Sequence, residues 1–128
     1  MEYISAEEFL KQPVEVQKIF WNYFEGSFGI YKFNNGLAQI IEFGVLDNDE
    51  NIIPLLTEGQ ICKFIEDKTG YMDICVLDIE EGNNTIHYEI ECYKYENDGF
   101  GDSKLFNLWE IDLLQAYWKV ATEIAKSR

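Results

Sequence analysis

Residues 71–96 read YMDICVLDIEEGNNTIHYEIECYKYE, and this stretch decides the fold. Tyr71 to Glu80 and Thr85 to Glu96 are the clearest strands of the chain, rich in β-branched and aromatic residues. Glu81-Gly82-Asn83-Asn84 between them is turn chemistry, so the two strands read as an antiparallel hairpin. Pairing Ile79 with Ile86 sets Leu77 opposite Tyr88 and Cys75 opposite Ile90. That register gathers Cys75, Leu77, Ile79, Ile86, Tyr88, Ile90 and Cys92 on one apolar face. Asp78, His87, Glu89 and Glu91 fall on the other, with Ile74, Val76, Tyr93 and Tyr95 among them. A slip of one residue would mix the two sets, so the pattern argues for this register.

Helices flank the hairpin. Ser5-Ala6-Glu7-Glu8 is a capping box, so a short helix should follow and end near Gln12, where Pro13 disfavours helix at the residue before it. Pro13 suits the start of a second helix, along which Val16, Ile19, Phe20, Tyr23 and Phe24 recur at helical spacing. Thr57-Glu58-Gly59-Gln60 is another capping box, followed by Ile61, Phe64 and Ile65 on one stripe and Gly70 as a stop. Asp112 with Gln115 opens a last helix, whose stripe is Leu113, Leu114, Tyr117, Val120, Ala121 and Ile124.

Phe28 to Phe33 and Leu37 to Val45 read as strands joined by Asn34-Asn35-Gly36, and Asp47 to Asn51 as a polar loop. Asn97 to Ser103 reads as a glycine-containing loop. Lys104 to Glu110 suits either a third strand of the hairpin sheet or the start of a helix, and strand is preferred. The expected architecture is α+β: an antiparallel sheet with N-terminal, middle and C-terminal helices packed on one face, in a single domain over residues 1–128.

Charge narrows the partners. Twenty-four Asp and Glu face ten Lys and Arg, for a net charge of −14 over 128 residues. Between Asp73 and Asp112 there are eleven carboxylates and two basic residues, Lys94 and Lys104. Such a surface repels nucleic acid and anionic lipid and attracts basic protein. Apolar content of 47% is too high for a disordered chain. The N-terminus lacks the basic and apolar regions of a signal peptide, no apolar run is long enough to span a membrane, and Cys62, Cys75 and Cys92 read as reduced thiols. The expected compartment is the cytoplasm.

No catalytic set assembles. His87, with Asp78 across from it and Glu89 beside it, has the company of a general base. Cys92 stands five residues away, on the opposite face of a regular strand, so the two cannot form a dyad. Asp47-Asn48-Asp49-Glu50-Asn51 with Glu58 has the outline of a calcium loop, but Ile52 occupies the position that needs glycine. The cysteines and His87 lack zinc-ligand spacing, and Gly99 and Gly101 are not followed by the helix of a phosphate cradle. Catalytic residues, metal and cofactor are therefore all expected to be none. The candidate site is instead a partner-binding face of Asp78, His87, Glu89, Glu91, Tyr93 and Tyr95. A purely solvating surface has little use for the aromatic and aliphatic side chains mixed into it.

Three segments carry a resemblance. They are Tyr3 to Leu10 with Pro13, Val16 and Gln17; Ile53 to Gln60 running on to Phe64 through Gly70; and Asp112 to Ala121. In these the chain resembles a family of small uncharacterised proteins encoded by phages and prophages of clostridia-like Gram-positive bacteria. The resemblance covers roughly a third of the chain, is absent from the hairpin, and brings no catalytic residues. It implies an accessory protein acting in the host cytoplasm.

The expectation that follows is a non-enzymatic protein that acts by protein–protein interaction on a basic host protein surface. Inhibition of a host defence factor, such as a CRISPR nuclease, by imitation of DNA charge would suit it. No direct nucleic-acid or membrane contact is expected, and a homodimer is compatible with the aromatic content. The alternatives are a small-molecule-binding signal sponge, which the shortage of Lys and Arg disfavours for phosphate-bearing ligands, and a minor self-assembling phage structural protein.

Overall fold

The computed structural model describes residues 2–24, 28–33, 38–42, 52–96 and 99–127. The chain divides into two compact units, Met1–Thr57 and Glu58–Arg128. Its class is α+β, with helices at the N-terminus, in the middle and at the C-terminus, and with its strands in two antiparallel sheets.

The first unit begins with α1 (Ala6–Leu10) and α2 (Val14–Phe24). Ser5 caps α1 as its sequence requires, its hydroxyl accepting the Glu8 amide at 3.2 Å. Pro13 has no amide to lose at a helix start, and its carbonyl accepts the amides of Val16 and Gln17. The Gln17 side-chain amide then donates to the Gln12 carbonyl at 2.8 Å, which ties the start of α2 to the end of α1. Phe9 and Phe20 are buried, with ring centroids 6.4 Å apart.

Strands β1 (Phe28–Phe33), β2 (Ala38–Glu42) and β3 (Ile52–Leu55) form a sheet in the order β2-β1-β3. The second strand is shorter than the expected Leu37 to Val45 in its described part, and the Asn34-Asn35-Gly36 turn and the Asp47 to Asn51 loop lie outside the described residues. Strand β3 occupies a segment to which the sequence reading assigned no element. Pro54 argues against a strand, but β3 is at the sheet edge, where a residue without an amide proton is tolerated. Past β3 the Ile4 amide bonds the Leu56 carbonyl at 2.8 Å, and Tyr3 bridges Thr57.

The second unit runs α3 (Glu58–Thr69), β4 (Tyr71–Glu80), β5 (Thr85–Glu96), β6 (Gly99–Glu110) and α4 (Leu113–Lys126). Its strands form an antiparallel meander in the order β4-β5-β6. Gly70 turns α3 into β4 within one residue, at φ 119, a conformation that side chains with a Cβ rarely adopt. Asn84, at φ 54, closes the β4–β5 turn. Asp112 accepts the Gln115 amide at 2.9 Å and caps α4. The segment Lys104 to Glu110 is strand, as preferred. The strand also takes in Gly99 to Ser103, which the sequence had suggested was loop.

Helices α3 and α4 pack on one another and on the same sheet face. Ile61, Phe64 and Ile65 of α3, Val120, Ala121 and Ile124 of α4, and Ile90 of β5 are buried. Each fully buried Phe or Ile contributes about 1.5–3 kcal/mol of apolar transfer before conformational entropy is subtracted. At the junction of β6 and α4 the Lys119 ammonium pairs with the Glu110 carboxylate, whose side chain is only 12% exposed. Among the described residues, no helix is long and apolar enough to cross a membrane.

Candidate functional site

The turn fixes the near end of the β4–β5 register. Ile79 faces Ile86 and Asp78 faces His87, as the sequence predicts. The next step departs from the prediction. Leu77 is an extra residue, a bulge between Val76 and Asp78, so Val76 rather than Leu77 faces Tyr88. From there to the start of β4 every pairing differs by one. Ile74 faces Ile90, and Cys75 faces Glu89.

The bulge exchanges the faces of half a strand. Ile74 and Val76, expected beside the carboxylates, share the helix-facing side with Tyr88 and Ile90. Cys75, expected in the core, is exposed on the acidic side. Cys92 is buried, as expected.

The face turned away from the helices is ordered in rungs across the three strands. Tyr71, Tyr93 and Ser103 form the first, and Asp73, Glu91 and Leu105 the next. Then come Cys75, Glu89 and Asn107, and last Asp78, His87 and Trp109. None of these residues is buried, whereas Tyr88, Ile90 and Cys92 on the other side of β5 all are. The structure thus brings Asp78, His87, Glu89, Glu91 and Tyr93 together on one open face. The Tyr95 side chain lies outside the described residues.

The rungs also supply residues that the sequence reading missed. Asp73 joins the carboxylates through the bulge. Leu105, 47% exposed, and Trp109, 44% exposed, join through β6. A two-residue alternation was present in Ser103, Leu105, Asn107 and Trp109, but Phe106 and Leu108 made the opposite face equally apolar. Pattern alone could not choose between them.

Electrostatics and aromatic contacts hold this face in shape. The Glu91 carboxylate accepts hydrogen bonds from the Tyr93 hydroxyl and, at 2.9 Å, from the Ser103 hydroxyl. Those donors favour its ionised form and hold its pKa below the usual value. The same bond to Glu91 favours the neutral phenol and pushes Tyr93 up to about 12. The imidazole of His87 stacks on the Trp109 indole, with centroids 4.8 Å apart and planes 17° apart. Tyr71 and Tyr93 rings lie 6.4 Å apart. Asp73 and Glu91 oppose each other directly, a like-charge pairing that weakens a sheet. No Lys or Arg stands on these rungs. Lys104 is on the opposite face, its ammonium 5.2 Å from the Phe106 ring centroid.

Of the three thiols, only Cys75 shares the outer face with His87, one rung away. Cys92 is on the other face of β5, and burial, the largest effect on it, pushes its thiol up. Burial likewise raises Cys62, although its sulfur accepts a hydrogen bond from the Tyr117 hydroxyl, which acts in the opposite sense. Raised thiol pKa values mean little thiolate, hence weak nucleophiles and weak ligands at neutral pH. Among the described residues no three His, Cys, Asp or Glu are grouped to hold a metal ion. The residues of the calcium-like segment before Ile52 lie outside the described residues, and Glu58 is in the first turn of α3. The arrangement offers an open acidic surface with aromatic and aliphatic contact points. Comparison of the chain with protein-family models, with curated proteins and with solved structures finds no match.

Proposed function

We propose that the protein acts by protein–protein interaction, docking the open face of β4, β5 and β6 on a basic protein surface without catalysis of its own. One observation carries this reading. Asp73, Asp78, Glu89 and Glu91 share an exposed sheet face with Leu105, Tyr93 and Trp109, and among the described residues no Lys or Arg stands on those rungs. A solvating surface needs charge alone. A contact surface needs charge for steering and desolvable apolar area for affinity, and exposed aromatics supply the second. The phage-type resemblance adds a role: an accessory protein in the host cytoplasm whose partner is a basic defence factor, such as a CRISPR nuclease.

The test is capture of host proteins on the immobilised chain at low ionic strength, followed by elution with salt. The expected outcome is a basic protein that is retained at low salt and released as screening rises. Recovery of no basic protein from such a lysate would count against the proposal.

A further inference from the structure

Strand β4 is an edge of its sheet. It is hydrogen-bonded to β5, and among the described residues no strand pairs with its other side. Natural proteins protect such edges with lysine, proline or a bulge. Here the bulge protects only the far end. The regular stretch from Tyr71 to Val76 has Asp73 as its one charged residue and contains neither lysine nor proline.

The two sides of this edge differ in chemistry. On the helix-facing side Ile74 is 39% and Val76 58% exposed, so an apolar ledge continues past the packed core. On the outer side Asp73 is exposed, with Glu91 directly across from it and Glu89 on the next rung. A strand added beside β4 would set successive side chains alternately against apolar surface and carboxylates.

The geometry points to strand addition at β4 by an extended partner segment that alternates Lys or Arg with Val, Ile or Leu. The inference rests on the basic-partner reading above and specifies how that partner engages. Charge selects the occupant. A second copy of the chain would bring another net charge of −14 and set carboxylate face beside carboxylate face, whereas a basic segment neutralises the face as it pairs.

The test uses the full chain and two synthetic peptides of equal composition. One alternates lysine with valine, and the other has its lysines and valines in separate blocks. Affinity is measured at low and high salt, and amide hydrogen exchange is followed residue by residue. The expected result is that the alternating peptide binds about tenfold more tightly than the block peptide, a difference of about 1.4 kcal/mol, and slows exchange in β4. Val76→Lys, at an exposed position, should remove that preference while leaving the melting temperature of the free protein unchanged. If both peptides bind equally and β4 exchange is unaltered, strand addition is overturned and the basic-surface reading stands. If neither binds at low salt, both fall.

Discussion

Glu91 shows how one residue sets the character of the acidic face. Its carboxylate takes donors from Tyr93 on its own strand and Ser103 on the next, so the bonds organise the first two rungs together. The lowered pKa of Glu91 means that its contribution to stability is present above the ordinary carboxylate value and is lost as pH falls through the lower folded value. Tyr93 behaves in the opposite sense. The fold favours its neutral phenol, so that contribution is present below the ordinary phenol value of 10.0 and is lost as pH rises through about 12. Spectrophotometric titration of the wild type should therefore show one phenol, absent in Tyr93→Phe, ionising near 12. Glu91→Gln should move it back toward 10.0, because the neutral amide removes both the charged acceptor and the coulombic cost of a phenolate beside it. A Tyr93 titration unaffected by Glu91→Gln would contradict the assigned bond.

At the scale of elements, the bulge at Leu77 decides which side chains the partner meets. It carries Asp73 and Cys75 to the outer face and Ile74 and Val76 to the ledge. Thiol labelling of the native protein reads this directly. Cys75 should react quickly, half-buried Cys62 more slowly and buried Cys92 only on unfolding, with Cys75→Ser abolishing the fast reaction. A protected Cys75 would restore the uninterrupted register. What was legible in the sequence follows the range of the interactions that set it. The Ser5 and Asp112 caps act over three residues, and both formed as read. The turn at Glu81 to Asn84 set its adjacent pairs, Ile79 with Ile86 and Asp78 with His87. Beyond them Ile74 and Val76 are as apolar as Cys75 and Leu77, so either register satisfies the hydrophobic pattern and nothing local announces the extra residue. Strand β3 was hidden by Pro54, and the start of β6 by Gly99 and Gly101, residues that break strands in the interior of a sheet but are accepted at its edges and ends.

For the whole molecule, the question is whether the net charge of −14 acts as a diffuse solubilising field or through one address. A field depends on how much charge there is; a contact surface depends on where it stands. The most direct measurement compares two charge reversals of equal size for binding to the basic protein captured at low salt. Glu89→Lys with Glu91→Lys alters the outer sheet face, and Glu2→Lys with Glu15→Lys alters exposed positions at the N-terminus and on α2. The account predicts that the sheet-face pair weakens binding by about tenfold or more, as loss of about 1.4 kcal/mol or more requires, while the other pair changes it little. Equal weakening by the two pairs would contradict it, because the partner would then be reading total charge and not this face.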